Sequence, residues 1–91
     1  MKYKIEFAKS LKKSFKKLSP KDKLLFEKVS KCLSDGEILE SKYCDHPLKG
    51  QYGGFRECHL RPNLLLIYEK QDDKLILYCF DIGSHSELFK D

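Results

Sequence analysis

At 91 residues and 10.7 kDa the chain has room for one domain, expected to span residues 1–91. Its 41% hydrophobic residues are too many for a disordered tail, and no apolar run approaches the ~18–20 residues of a membrane span, so a helical membrane protein, a collagen-like fibre or a signal-bearing secreted precursor is not expected. The net charge of +4 is unevenly divided: residues 1–31 hold eleven lysines against Glu6, Asp22 and Glu27, a local +8, whereas residues 32–91 carry a local −4.

In chain order, Tyr3, Ile5 and Phe7 alternate with lysine and glutamate, which predicts a half-buried strand. The period then becomes helical. Ala8, Leu11, Phe15 and Leu18 fall on one face and Lys9, Lys12, Lys13, Lys16 and Lys17 on the other. Ser19-Pro20-Lys21-Asp22 predicts a helix restart, with Ser19 as N-cap, Pro20 at the first helical position and Asp22 near the positive helix end. This second helix should turn Leu25, Val29, Cys32 and Leu33 inward and close at Gly36. Residues 37–53 show no period and carry Pro47, Gly50 and Gly53; a connection this long in so short a chain suggests a functional loop. Strands are expected at Phe55–Leu60, at Leu64–Tyr68 and from Lys74 to about Ile82. The run Leu64–Tyr68, apolar on both faces, should be the central one. The order β-α-α-β-β-β predicts a two-layer α+β fold, an antiparallel sheet packed on an N-terminal helix hairpin.

Cys32, Cys44, Cys58 and Cys79 are spaced by 12, 14 and 21, which matches no zinc ribbon or finger. They are expected as reduced thiols acting as small hydrophobes. A metal site using Cys58 and His59 is disfavoured because neighbours on a strand point to opposite faces. Glu57 and His59, two apart, share a face with Phe55, about 7 Å from each other along the strand at ~3.4 Å per residue. A carboxylate and an imidazole so placed suit proton transfer near neutral pH. A satisfied histidine in a cross-strand ion pair is the plainer alternative.

Four blocks then stand together: Asp45-His46-Pro47-Leu48-Lys49-Gly50, Phe55-Arg56-Glu57-Cys58-His59-Leu60-Arg61-Pro62, Leu65-Leu66-Ile67-Tyr68, and Gly83-Ser84-His85-Ser86-Glu87-Leu88-Phe89. In this order and spacing the chain resembles the YafQ branch of the RelE-type bacterial toxins. The resemblance implies a cytoplasmic mRNA interferase of a type II toxin–antitoxin pair, cutting mRNA in the ribosomal A site without a metal or other cofactor. It implies His46, Glu57, His59, His85 and Phe89 at active-site positions, the first four as the catalytic set and Phe89 against the substrate; Lys49, Arg56, Arg61 and Asn63 are the further residues expected at the substrate. The partners implied are a cognate acidic antitoxin, mRNA and the ribosome, and Lys12, Lys13, Lys16 and Lys17 are the expected contacts to ribosomal RNA. Two positions depart from the family: Asn63 stands where an aspartate is usual, and Asp81 where an arginine is common. The alternative is therefore a homologue that binds RNA or the ribosome and cleaves weakly.

Overall fold

The computed structural model describes residues 2–89; Met1, Lys90 and Asp91, at the ends of the expected domain, lie outside them. Strand β1 (Lys4–Phe7) leads into helices α1 (Lys9–Phe15) and α2 (Pro20–Ser34). Then follow β2 (His46–Pro47), β3 (Arg56–Arg61), β4 (Leu64–Gln71), β5 (Ile76–Gly83) and a closing turn of helix, α3 (His85–Leu88). The protein is α+β, a five-stranded sheet of order β1-β5-β4-β3-β2 with helices packed on it.

Two features differ from the sequence expectation. The sheet is mixed, because β1 lies parallel to β5, with Ile5 opposite Leu77 and Phe7 opposite Cys79. Alternation reports which face of a strand is buried but not which way it runs. The second difference is β2, a two-residue strand inside the supposedly irregular loop, antiparallel to β3 with His46 opposite Glu57. As expected, β4 is the centre of the sheet, and Leu64 to Tyr68 are all buried.

The helix ends follow the local chemistry. Ser19 Oγ accepts the Asp22 N–H at 3.1 Å, Pro20 opens α2, and Gly36 beyond its last turn has φ +80°, which only glycine adopts without strain. The buried side of α2 is Phe26, Val29 and Leu33, whereas Leu25 and Cys32 are only half-buried against the core. Helix α1 takes over the edge of β5 where β1 stops: the Ala8 N–H donates to Cys79 O and Ser10 Oγ to Phe80 O. At that point β5 bulges, with Tyr68 opposite Cys79 and Ile67 opposite Asp81, so that Phe80 is the extra residue. No helix among the described residues is long and apolar enough to cross a membrane.

One long-range ion pair ties helix to sheet. Arg61, at the end of β3, grips Asp22 in the first turn of α2 with two hydrogen bonds of 3.0 Å. The guanidinium holds the Asp22 carboxyl below the usual carboxylate range. A carboxyl depressed on folding stabilises above its unfolded value, near pH 4, and loses that contribution as pH falls through the folded value. We expect Asp22→Asn to flatten the acid limb of stability below about pH 4, measured as urea midpoint against pH. An unchanged acid limb would show that the pair contributes nothing to it.

Candidate active site

On β3 the pleat sends Arg56, Cys58 and Leu60 to the helix-covered side and Glu57 and His59 to the other. Glu57 is nonetheless buried, only 6% exposed. Its Oε1 accepts a hydrogen bond from His59 Nε2 at 3.1 Å and lies 3.7 Å from His46 Nε2. The two imidazole rings are 6.3 Å apart between centroids. A carboxylate thus sits between two histidines, one from its own strand and one from the strand beside it.

His46 reaches this place through its neighbours. Asp45 accepts from Arg56 Nε and Nη2, both at 3.3 Å, and from the hydroxyl of the fully buried Tyr68 at 2.5 Å. Burial first, and then the Asp45 carboxylate, push the Tyr68 hydroxyl well above its ordinary pKa, so it remains a donor. Burial opposes the charge on Arg56 more than any single partner favours it, but Asp45 and Tyr68 together outweigh it and raise the Arg56 pKa. Cys44, in the left-handed region at φ +48°, presents its carbonyl to His46 Nδ1 at 2.7 Å. A carbonyl only accepts, so His46 carries a proton on Nδ1. By the same rule His59 carries one on Nε2, towards Glu57.

His85 comes from a different element. Its turn of helix is fixed by a capping box: Ser84 Oγ accepts the Glu87 N–H at 3.2 Å and Glu87 Oε1 accepts the Ser84 N–H at 2.8 Å. The His85 ring lies 4.9 Å from that of Phe89, which meets Tyr52 edge-on at 5.3 Å. Among the described residues no hydrogen bond, ion pair or ring contact joins His85 to the His46–Glu57–His59 group. Tyr52 was not anticipated from the sequence; its only signal was an aromatic residue in a glycine-rich loop, Gly50-Gln51-Tyr52-Gly53-Gly54. The Leu48 N–H donates to Phe55 O at 2.9 Å and closes this loop at its base, leaving Lys49 exposed.

The remaining expected substrate contacts are placed elsewhere. Arg56 is held by Asp45 and Arg61 by Asp22, so each guanidinium already has a carboxylate. Asn63 is exposed in the turn between β3 and β4. Asp81 Oδ1 accepts from Ser14 Oγ and from the Ile82 N–H, both at 2.8 Å, which ties it to α1. Lys12, Lys13, Lys16 and Lys17 are all exposed on or just beyond α1. Of the thiols, Cys58 and Cys79 are buried, and burial pushes Cys79 up to about 12, which leaves it unreactive. No group of three or more His, Cys, Asp or Glu side chains among the described residues is arranged to hold a metal ion.

The family model for the YafQ bacterial toxin of type II toxin–antitoxin systems matches residues 1–90. The chain belongs to the YafQ toxin family. The mRNA interferase toxin YafQ of Escherichia coli K12 is 32% identical over 87 residues, covering 96% of this chain and 91% of that one. The crystal structure of a metal-bound toxin from Helicobacter pylori shares 41% identity, with a TM-score of 0.84 over 96% of this chain and 99% of the other. The E. coli DinJ–YafQ toxin–antitoxin complex contains a chain 27% identical, with a TM-score of 0.83 over 98% of this chain and 99% of that one.

Proposed function

We propose that this YafQ-family toxin is a ribosome-dependent endoribonuclease of the cytoplasm that cuts mRNA in the ribosomal A site by acid–base catalysis. The observation that carries the reading is the buried Glu57 carboxylate between His46 and His59. A base removes the proton from an RNA 2′-OH, the 2′-oxygen bonds to the adjacent phosphorus, and the bond from phosphorus to the 5′-oxygen breaks. An acid returns a proton to that oxygen, leaving a 2′,3′-cyclic phosphate and a 5′-OH. His46, His59 and His85 form the acid–base set, and Glu57 orients the two imidazoles beside it. Phe89 stacks on a base of the message. With both nearby arginines engaged by carboxylates, Lys49 is the exposed cation in the loop that follows His46, available to the phosphate. Arg56 acts indirectly, by holding Asp45 and hence His46.

Expression in growing cells tests the reading. Growth arrest should accompany cleavage within translated messages, with cyclic phosphate at the new 3′ ends. A second reading is favoured by Asp81, a carboxylate where the family resemblance leads one to expect arginine: binding to RNA or the ribosome with little cleavage. Arrest that persists in His85→Ala would support it, and arrest abolished by that change would support catalysis.

Lys12, Lys13, Lys16 and Lys17 are the proposed footprint on ribosomal RNA. Reversing their charge should weaken ribosome association and also flatten its dependence on salt, because fewer counterions are released. Unchanged binding at every salt concentration would leave these lysines as a solvated face.

The partner we infer, from the likeness to the DinJ–YafQ complex, is a cognate acidic antitoxin with a segment that folds on binding. Such a segment could cover the basic helix or displace His85 and Phe89, and we favour displacement because so short a terminal helix is easily moved. Deleting residues 84–91 should then weaken antitoxin binding. A truncated chain bound as tightly as the full one would rule out displacement.

A further inference from the structure

A groove of about 580 Å³ opens directly beside His59, between α2 and the outer edge of β3. Lys28 of α2 and Lys42 of the loop before β2 both line it, together with Tyr43, Leu60, Pro62 and the Asp22-paired Arg61. Strand β2 pairs with β3 only at Arg56 and Glu57, so among the described residues the β3 edge from Cys58 onward has no strand partner. No carboxylate among the described residues lines this groove. The other polar depressions near the site differ in this respect: one is lined by Asp22, Asp81 and Glu87, another by Glu37, Asp45 and Asp72. Among the described residues neither Lys28 nor Lys42 is in an ion pair, and the Lys42 ammonium lies 5.3 Å from the centre of the Tyr43 ring.

Two such ammonium groups and an imidazole in one groove, lined also by Tyr43, Leu60 and Pro62, match a single nucleotide: a phosphate for the lysines and a flat base for the apolar side chains. We propose that this groove seats the ribonucleotide adjoining the scissile phosphate, with its own phosphate held between Lys28 and Lys42. The assignment rests on the ribonuclease reading, because that reading puts the reacting phosphate at His46, Glu57 and His59. The lysines of this groove are separate from those on α1, so one surface of the toxin would hold the ribosome and another the message.

The test uses the full chain and a fluorescein-labelled RNA trinucleotide, 2′-O-methylated throughout so that it cannot be cut. Lys28→Glu with Lys42→Glu should raise its Kd at least tenfold and lower the slope of log Kd against log salt by about 0.7 for each phosphate no longer neutralised. Lys74→Glu, an exposed lysine in the β4–β5 turn, should change neither. Titration followed by NMR should move the His59 ring signals and the amides of Tyr43 and Leu60. An unchanged Kd, an equal weakening in Lys74→Glu, or inorganic phosphate binding as tightly as the trinucleotide would each overturn the assignment. The two readings fail separately. A wild-type chain that cuts message while its trinucleotide affinity ignores Lys28 and Lys42 sinks the groove alone. A chain that binds through them but never cuts sinks the nuclease alone.

Discussion

His59→Ala should lower the rate of mRNA cleavage by about 10²–10⁴-fold, the range typical of a lost general acid or base. The ring is about 30% exposed on its side chain, at the mouth of the site, and its Nε2 proton is committed to Glu57 at 3.1 Å. That commitment leaves Nδ1 as the nitrogen turned to other partners, which suits proton exchange with substrate. Glu57→Gln offers the informative contrast. The amide oxygen still accepts from His59, so the ring keeps its orientation while the charge beside it is gone. Its loss should be smaller than that of His59→Ala, and its effect on kcat should exceed that on KM. Single-turnover cleavage of ribosome-bound message measures both variants. A His59→Ala rate within tenfold of wild type would remove this histidine from the chemistry.

Leu66→Ala should be the most damaging core truncation, costing about 2–5 kcal/mol. Leu66 has no exposed surface and sits on the middle strand, flanked by Cys58 on β3 and Ile82 on β5. Its loss leaves a cavity bounded by backbone on both sides, which has little freedom to collapse. A domain of this size has only about 5–15 kcal/mol of stability, so the thermal midpoint should fall by roughly 10 °C or more. Urea unfolding at unchanged m-value would assign the loss to the native state. A midpoint within a few degrees of wild type would mean that the neighbours repack into the space.

The features legible in the sequence were those written within a few residues of themselves. Ser19-Pro20 marks the start of α2, Gly36 its end, and Leu64–Tyr68 the central strand, because capping and two-sided burial are local requirements. The shared face of Glu57 and His59 was equally available from the pleat. What stayed hidden depends on distant parts of the chain. Nothing around Tyr3, Ile5 and Phe7 says that they run parallel to residues 76–79, some seventy positions away. Three adjacent apolar residues, Leu24, Leu25 and Phe26, leave the rotation of α2 undecided; in the fold Phe26 is 4% exposed and Leu24 66%. The meeting of His46 with Glu57 needs a two-residue strand, too short for any period to show. The Ser84–Glu87 capping box was visible as a pattern, yet it specifies a helix of only four residues, easily taken for a tail.

The outer strands of the sheet, β1 and β2, run four and two residues. Exposed strand edges are where folded chains recruit one another into aggregates, and short edges bearing lysine are a common defence. Here the segment most prone to such recruitment, Leu64–Tyr68, has two strands on either side of it, and Lys4 sits on one border. Peeling away β2 would be the first step to losing that protection, since it would bare the full length of β3; the Asp45–Arg56 clasp that holds His46 in place is also what keeps that strand down.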